Sequence, residues 1–194
     1  MAGGCMVRPA LIVIDMVNDL LRTLAPDARQ RLLEATGPLV ATMRSHARPV
    51  IWVRQEFAAD LRDAFPEMRA KGIRVTIEGT QGARIDSALA VDPADPVIVK
   101  KRYSAFHGTE LDRLLARIDP DGIILAGINT HACIRMSAID AYQRDWSVVL
   151  AAQCIDSYDR EHHEISLRYM SGKIATIMSN DEIRRMLEGS QAGA

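Results

Sequence analysis

The sequence has little that would direct the protein to a membrane or to nucleic acid. No hydrophobic run approaches the length of a membrane span, and residues 1–8 lack the long apolar core of a signal peptide. The 24 basic and 25 acidic residues leave a net charge of −1, so no basic excess favours nucleic acid or anionic lipid. We therefore expect a protein that binds neither membranes nor nucleic acid.

Cysteine is also scarce, and there is no nucleotide-binding signature. The three cysteines are Cys5, Cys133 and Cys154, an odd and sparse set that is typical of free thiols in a reducing compartment. We therefore expect a cytoplasmic protein. Neither a P-loop nor a glycine-rich fingerprint after the first predicted strand is present, so the layout alone does not imply a nucleotide.

The apolar residues that are present form six short runs separated by helical stretches. With 194 residues, 48% of them hydrophobic, the chain can fill one core, and we expect a single domain over residues 1–194. Continuous apolar runs are typical of strands covered on both faces of a parallel sheet. The pattern predicts an α/β fold, a doubly wound parallel sheet in three layers. The predicted strands span residues 10–14, 49–53, 96–99, 122–126, 147–151 and 173–178.

Five helices are predicted between and after these strands. They span residues 26–46, 109–118, 130–144, 159–170 and 180–188, and the first should kink or restart at Gly37-Pro38. Residues 57–90 have no clean period, and an irregular segment of this length is usually functional in a compact domain. We expect it to cover the strand ends as a wall or lid; the alternative is that it packs on a neighbouring subunit. Its apolar residues favour a homo-oligomer, a dimer or tetramer, if one small domain cannot bury them all. These residues are Phe57, Leu61, Phe65 and Met68.

Chemically active side chains follow three of the predicted strands. Asp15 ends the first run, Lys100 and Lys101 follow the third, and Cys133 lies at the turn between the fourth strand and a helix. The carboxyl ends of parallel strands meet at one edge, where open α/β sheets bind ligands. A thiol at a helix start is pushed toward thiolate by free N–H groups and the helix dipole. A lone cysteine is more often a packed residue, but a carboxylate and a lysine at the same edge favour nucleophilic catalysis.

Three blocks of sequence resemble the isochorismatase-like cysteine hydrolases, and within them the amidohydrolases of N-carbamoylsarcosine, ureidoacrylate and biuret. The blocks are residues 12–19 (IVIDMVND), 99–106 (VKKRYSAF) and 127–133 (GINTHAC), in the family's order over nearly the whole chain. The resemblance implies a six-stranded parallel sheet of order 3-2-1-4-5-6 flanked by helices. It also implies hydrolysis of a small carboxamide or ureido compound through a thioester, releasing ammonia or an amine.

The resemblance also implies residue roles. Asp15 would be the general acid and base, Lys100 its cationic partner and Cys133 the nucleophile. Lys100 is preferred to Lys101 because the family pattern is Lys-x-Arg followed by an aromatic residue. A cis peptide bond between Ile128 and Asn129 would aim the Asn129 N–H, together with that of Cys133, at the substrate oxygen as an oxyanion hole. The residues expected to bind substrate are Gln55, Arg102, Tyr103, Phe106 and His131.

Departures from the family pattern narrow these expectations. Val17 stands where many members have Gln, so we assign no substrate contact to this position. Residues 47–106 contain no His, so we do not expect a nicotinamidase-type metal site, and we expect no other cofactor. His162 and His163 are adjacent on a predicted helix and would point in different directions, which indicates structural roles. His131 could equally be an interface residue, a support for the loop or a substrate ligand.

Other functions remain as alternatives. Vinyl ether hydrolysis of the isochorismatase type needs an acid but no thiol, so Cys133 weighs against it. A non-catalytic binding protein on the same fold has no need of Asp15, Lys100 and Cys133 together. A flavodoxin-like binder is disfavoured by the missing phosphate loop.

Overall fold

The computed structural model describes the backbone of residues 6–191 and the side chains of residues 6–189. The free thiol expected at Cys5 lies outside these residues. The two other cysteines, Cys133 and Cys154, are both free and buried. Within the described residues, no helix combines the length and the apolar content needed to cross a bilayer.

Six parallel strands form one sheet at the centre of the molecule. Their spatial order is β3-β2-β1-β4-β5-β6, which confirms the order implied by the resemblance and the predicted α/β class. The strands are β1 (Ala10–Ile14), β2 (Val50–Gln55), β3 (Val97–Lys100), β4 (Ile123–Ile128), β5 (Val148–Asp156) and β6 (Thr176–Met178).

The strands β2, β3, β4 and β5 all run past their predicted ends, because those ends were read from apolar character alone. β2 and β3 continue into polar residues, so that Gln55 and Lys100 are their last residues. β5 runs five residues beyond Ala151, to Asp156, alongside an irregularity in its register with β4. These extensions bring further polar side chains to the carboxyl edge of the sheet.

Helices cover both faces of the sheet. On one face α2 and α7 pack on Leu11 and Val13, and on the other α4, α5 and α6 pack on Ile12 and Ile14. This alternation within β1 places a core on each side and gives the predicted three layers. The helices are α1 (Asn18–Leu21), α2 (Pro26–Ser45), α3 (Pro66–Lys71), α4 (Leu111–Ile118), α5 (Arg135–Tyr142), α6 (Arg160–Met170) and α7 (Asn180–Gln191).

The long helix α2 runs through Gly37-Pro38 without the restart that proline suggested. A proline in a helix interior costs about 3 kcal/mol through a lost hydrogen bond and a clash with the preceding turn. The helix buries Leu32, Leu39 and Val40 against the sheet, and this packing outweighs the local cost.

The irregular segment, residues 57–90, forms a small core of its own. Phe57, Leu61 and Ile77 are buried with Ala64, and the partly buried Phe65 and Met68 pack against them. Phe57 and Leu61 therefore need no partner subunit to bury them, whereas Phe65 and Met68 are covered only in part. A homo-oligomer stays a prediction, without support from this segment.

Candidate active site

The three residues proposed for catalysis meet at the carboxyl edge of the sheet. Asp15 follows β1, Lys100 ends β3, and Cys133 lies in a π-helical turn, Thr130–Ile134, after β4. The Lys100 Nζ atom is 2.7 Å from Asp15 Oδ2 and 3.3 Å from Cys133 Sγ. Asp15 and Lys100 have no exposed side-chain surface, and Cys133 is 4% exposed. The structure thus places a carboxylate, an ammonium group and a thiol together in a site shielded from water.

Backbone groups fix the Asp15 carboxylate. Its Oδ1 accepts a hydrogen bond from the Gln55 N–H at 2.7 Å, while its own N–H donates to the Val53 carbonyl at 2.8 Å. Asp15 has a φ of 59°, a left-handed conformation that aspartate adopts more readily than most residues. With Oδ1 held in this way, the other carboxylate oxygen of Asp15, Oδ2, pairs with the Lys100 ammonium.

Lys100 and its neighbour Lys101 point to different partners. The third partner of the Lys100 ammonium is the Arg102 carbonyl at 3.0 Å, in addition to the Asp15 carboxylate and the Cys133 sulfur. Lys101 instead donates to the Glu56 carbonyl at 2.6 Å and pairs with Asp63 at 2.8 Å, where both side chains are partly exposed. Lys100, and not Lys101, therefore reaches the carboxylate and the thiol.

The two lysines should differ sharply in what they contribute to stability. Lys100→Met leaves the buried Asp15 charge without its counterion, and breaking a buried pair in this way costs about 3–5 kcal/mol. Lys101→Met removes a partly exposed pair with Asp63, worth about 0–1 kcal/mol. Urea denaturation of the two variants measures both changes in the free energy of unfolding. Equal losses would show that the Asp15–Lys100 pair is not the buried ion pair described above.

Charge and burial set the protonation of the site. Burial opposes the charge on Lys100, but Asp15 and Cys133 outweigh it and raise the pKa of the ammonium. Burial and the Asp15 carboxylate raise the pKa of the Cys133 thiol far above its ordinary value, and Lys100 lowers it only in part. The direction of this shift is opposite to the push toward thiolate expected at a helix start, and desolvation favours the neutral thiol.

The loop that carries Cys133 begins at a backbone contact only glycine can make. Gly127 has a φ of 120°, and a Cβ atom there would lie 1.8 Å from the Ile14 carbonyl oxygen. The peptide bond between Ile128 and Asn129 is cis. The Asn129 carbonyl then accepts the N–H groups of Ala132 and Ile134, which shapes the turn around Cys133. Donation by the Asn129 and Cys133 N–H groups to a substrate oxygen stays a prediction.

Two histidines support this loop from the β5–α6 side. The buried His163 has its Nδ1 atom 2.9 Å from Thr130 Oγ1, and the half-buried His131 has its Nδ1 atom 2.5 Å from Ser157 Oγ. His162 is exposed and contacts Asp159 at 2.8 Å. His162 and His163 therefore point in different directions, as predicted, and His163 has a structural contact to the loop.

His163 should make the stability depend on pH. Burial lowers its pKa in the folded protein, although Asp156 opposes this shift. The unfolded chain therefore binds more protons, and the free energy of unfolding should fall as pH drops below about 6.5, the ordinary pKa of histidine. We expect His163→Asn to flatten the decrease measured by urea denaturation between pH 7 and 5. The neighbouring exposed variant His162→Asn is the control. An unchanged slope in His163→Asn would contradict this assignment.

Four of the five residues expected to bind substrate lie near the three central groups. Gln55 is 7% exposed, and its Nε2 atom has no hydrogen-bond partner within the described part of the chain. Arg102 donates to the Asp63 carbonyl at 2.9 Å and lies over the Phe65 ring. Tyr103 is half exposed beside Phe65, and His131 precedes Cys133 by two residues. Contact of these side chains with a substrate stays a prediction.

Phe106, the fifth residue of that set, is deeply buried. It is 3% exposed, belongs to the core beneath α4 and α5, and has the Arg144 guanidinium 4.7 Å from its ring centroid. Arg144 lies just after the C-terminal end of α5, whereas Cys133 lies just before the N-terminal end of that helix. The aromatic residue of the sequence block thus belongs to the core cluster that also contains Cys133, and its contact with a substrate stays a prediction.

Residues after β5 were missed by the sequence reasoning. Ser157 holds His131, and the Tyr158 ring lies edge-on to His131 with centroids 5.2 Å apart. Because the predicted β5 ended at Ala151, Ser157 and Tyr158 fell in the connection before the next helix and were given no role. The apolar pair Cys154 and Ile155, both buried in the longer strand, was the signal that could have found them.

An α/β sheet of this order, with a carboxylate, a lysine and a cysteine at its carboxyl edge, defines a hydrolase of the isochorismatase class. The family model described as Isochorismatase domain matches residues 9–182, and the chain belongs to this family. The isochorismatase family protein YecD of Escherichia coli O157:H7 is 27% identical over 179 residues, covering 92% of this chain and 95% of YecD.

Solved structures agree with this assignment. An isochorismatase family protein from Desulfovibrio vulgaris has a TM-score of 0.84 at 28% identity, covering 94% of this chain and 99% of that one. N-carbamoylsarcosine amidase from Thermoplasma acidophilum has a TM-score of 0.76 at 28% identity, covering 90% and 98%. This chain is similar to both in fold and sequence.

Proposed function

We propose that the protein is a cysteine hydrolase of a small carboxamide or ureido compound, acting through a thioester and releasing ammonia or an amine. The observation that carries this proposal is the buried contact of one ammonium group, Lys100, with both the Asp15 carboxylate and the Cys133 thiol. A carboxamide is a poor electrophile, so its hydrolysis needs an activated nucleophile and stabilisation of the oxyanion. The similarity to N-carbamoylsarcosine amidase is consistent with this chemistry.

In the first step the proton of Cys133 passes to Asp15, whose carboxylate contacts the same Lys100 ammonium group as the thiol. Negative charge moves from oxygen to sulfur, and Lys100 contacts both atoms, so the charge stays beside the same cation. This explains how a thiol with a raised pKa can react at neutral pH. The sulfur then bonds to the substrate carbonyl carbon, and backbone N–H groups of the cysteine loop hold the oxyanion.

In the second step Asp15 returns its proton to the leaving nitrogen, the C–N bond breaks and ammonia or an amine departs. A thioester on Cys133 remains. Asp15, again a carboxylate, removes a proton from water as the water attacks the thioester carbon. The C–S bond breaks, the sulfur takes the proton back from Asp15, and the acid is released. One carboxylate between a thiol and an ammonium group thus serves both halves of the reaction.

Two alternatives use the same fold. Vinyl ether hydrolysis of the isochorismatase type needs only an acid, and it leaves the contact of Cys133 with Lys100 without a role. A non-catalytic binding protein would carry a buried ion pair at a desolvation cost that apolar residues avoid. The proposed amide or ureide hydrolysis gives every one of the three side chains a function.

A substrate panel tests the proposal. Purified protein is incubated with primary carboxamides, N-carbamoyl amino acids and isochorismate, and release of ammonia or pyruvate is measured. We expect ammonia or amine from at least one amide or ureide, with accumulation of a thioester adduct on Cys133 by mass spectrometry. Pyruvate from isochorismate without any Cys133 adduct would favour the vinyl ether alternative. Activity on no compound would favour a binding protein.

Metal removal should leave this activity unchanged. Across residues 6–189, no three His, Cys, Asp or Glu side chains are grouped as a metal site requires, and the proposed mechanism obtains its charge stabilisation from Lys100. Turnover is measured before and after EDTA treatment and after zinc is added back. Activity that disappears with EDTA and returns with zinc would contradict the prediction.

A further inference from the structure

Aromatic side chains flank the Cys133 thiol from two sides. Phe65 and Tyr103 come from the irregular segment and from the connection after β3, whereas His131 and Tyr158 come from the cysteine loop and from the connection after β5. In the sheet order, β1 and β4, whose ends carry Asp15 and the cysteine loop, lie between β3 and β5. The two aromatic pairs therefore approach the site from opposite sides.

Each pair is held in place by contacts of its own. The Phe65 and Tyr103 rings are 4.8 Å apart at 35°, and Phe65 is fixed from behind by Phe57 at 5.8 Å. The Tyr158 ring lies edge-on to His131 at 87°, and Ser157 anchors His131 at 2.5 Å. The rings are thus positioned before any ligand arrives.

The two tyrosines are nevertheless open to solvent. Tyr103 is 49% exposed and Tyr158 is 59% exposed, in contrast to the nearly closed thiol between them. Burial, and then the nearby Cys133 and Tyr158, raise the pKa of Tyr103, so the two tyrosines and the thiol share one local environment. Exposed rings fixed beside a buried nucleophile are the surface that the non-reacting part of a substrate would cover.

We propose that Phe65, Tyr103, His131 and Tyr158 form an aromatic mouth that binds a planar, unsaturated acyl group, so that aromatic or conjugated carboxamides are preferred to saturated ones. The inference rests on the proposed amide hydrolysis and narrows its substrate class. Aromatic rings attract each other at centroid separations of 4.5–7 Å in offset or edge-on geometry, which a flat group achieves and a puckered ring does not. A small, polar ureide would leave both tyrosine rings uncovered.

Benzamide and cyclohexanecarboxamide test the mouth, since they share the scissile amide and have rings of similar size. We expect kcat/KM to favour benzamide by about tenfold or more, the sum of two aromatic contacts. Tyr158→Leu and Tyr103→Leu should each reduce this preference, because kcat/KM should fall further for benzamide than for cyclohexanecarboxamide. Tyr142→Leu, at an equally exposed tyrosine that ends α5, is the matched control and should keep the preference. No preference in the native protein would overturn the inference.

A binding measurement separates this inference from the proposed function. Benzamide and cyclohexanecarboxamide are titrated by calorimetry into Cys133→Ala, which binds without reacting. Tighter binding of benzamide that depends on Tyr158, together with no turnover of any amide by the native protein, would support the mouth and reject the hydrolase. Turnover of both amides by the native protein, together with equal binding of both to Cys133→Ala, would support the hydrolase and reject the mouth. If Tyr158→Leu changes the mass of the protein by light scattering and slows both amides alike, the rings serve a subunit contact and the mouth is rejected.

Discussion

Cys133→Ala should abolish amide turnover, by on the order of 10⁴-fold or more, because loss of a covalent nucleophile removes the reaction path itself. The fold should persist, since alanine fills most of the space of a buried thiol and keeps the turn Thr130–Ile134. Steady-state kinetics measures the loss, and thermal unfolding checks that the variant is folded. Full activity in this variant would contradict the proposed mechanism.

Cys154→Ala is the matched control for that experiment. Cys154 is also a buried free thiol, but its Sγ donates to Asn180 Oδ1 at 3.3 Å, on the opposite face of the sheet from Cys133. Burial raises its pKa to about 11, so it too is a thiol at neutral pH. We expect near-native kcat/KM in Cys154→Ala. A large loss there, with the fold retained, would mean that removal of either buried thiol lowers activity. The loss in Cys133→Ala would then not identify Cys133 as the nucleophile.

Asp15→Asn should have two effects of opposite sign. Turnover should fall by about 10²–10⁴-fold, because asparagine cannot accept the thiol proton or return it to the leaving nitrogen. Alkylation of Cys133 should become faster, because the Asp15 carboxylate that raises the thiol pKa is gone while Lys100 still lowers it. A merely structural Asp15 would not separate these two rates.

Both rates can be measured on the same samples. The rate of iodoacetamide labelling at Cys133 is followed by mass spectrometry from pH 6 to 10, beside kcat for an amide. We expect the labelling profile of Asp15→Asn to shift toward lower pH than that of the native protein. Slower labelling together with slower turnover would mean that Asp15 promotes the thiolate in the resting state, contrary to the charge balance described above.

The positions of Asp15 and Lys100 were predictable because they end continuous apolar runs. Those runs gave the strands, and parallel strands bring their carboxyl ends to one edge. The choice of Lys100 came from the family pattern of the surrounding residues. Neither argument needed knowledge of how side chains pack, since strand position and the family pattern decided which residues could meet.

What the sequence did not predict depends on packing across the molecule. The thiol pKa follows from how fully Cys133 is desolvated, which no local pattern states. Phe106 lies in the core because α4 and α5 close over it, and the part played by Tyr158 depends on where an irregular strand ends. Desolvation and core contacts arise from segments distant in the chain.

The contact of Gly127 with Ile14 bears on how freely the rest of the chain can change. Backbone meets backbone there, directly before Asp15 on one strand and before the cysteine loop on the other. This contact therefore fixes the two strand ends relative to each other, and His163 of α6 also reaches the loop. Residues of the helical layers that do not contact the loop can be exchanged during divergence or engineering at a cost in stability, while the reacting groups keep their separation. Residue 127 itself has no such freedom, and a library that varies it should yield only glycine among its active members.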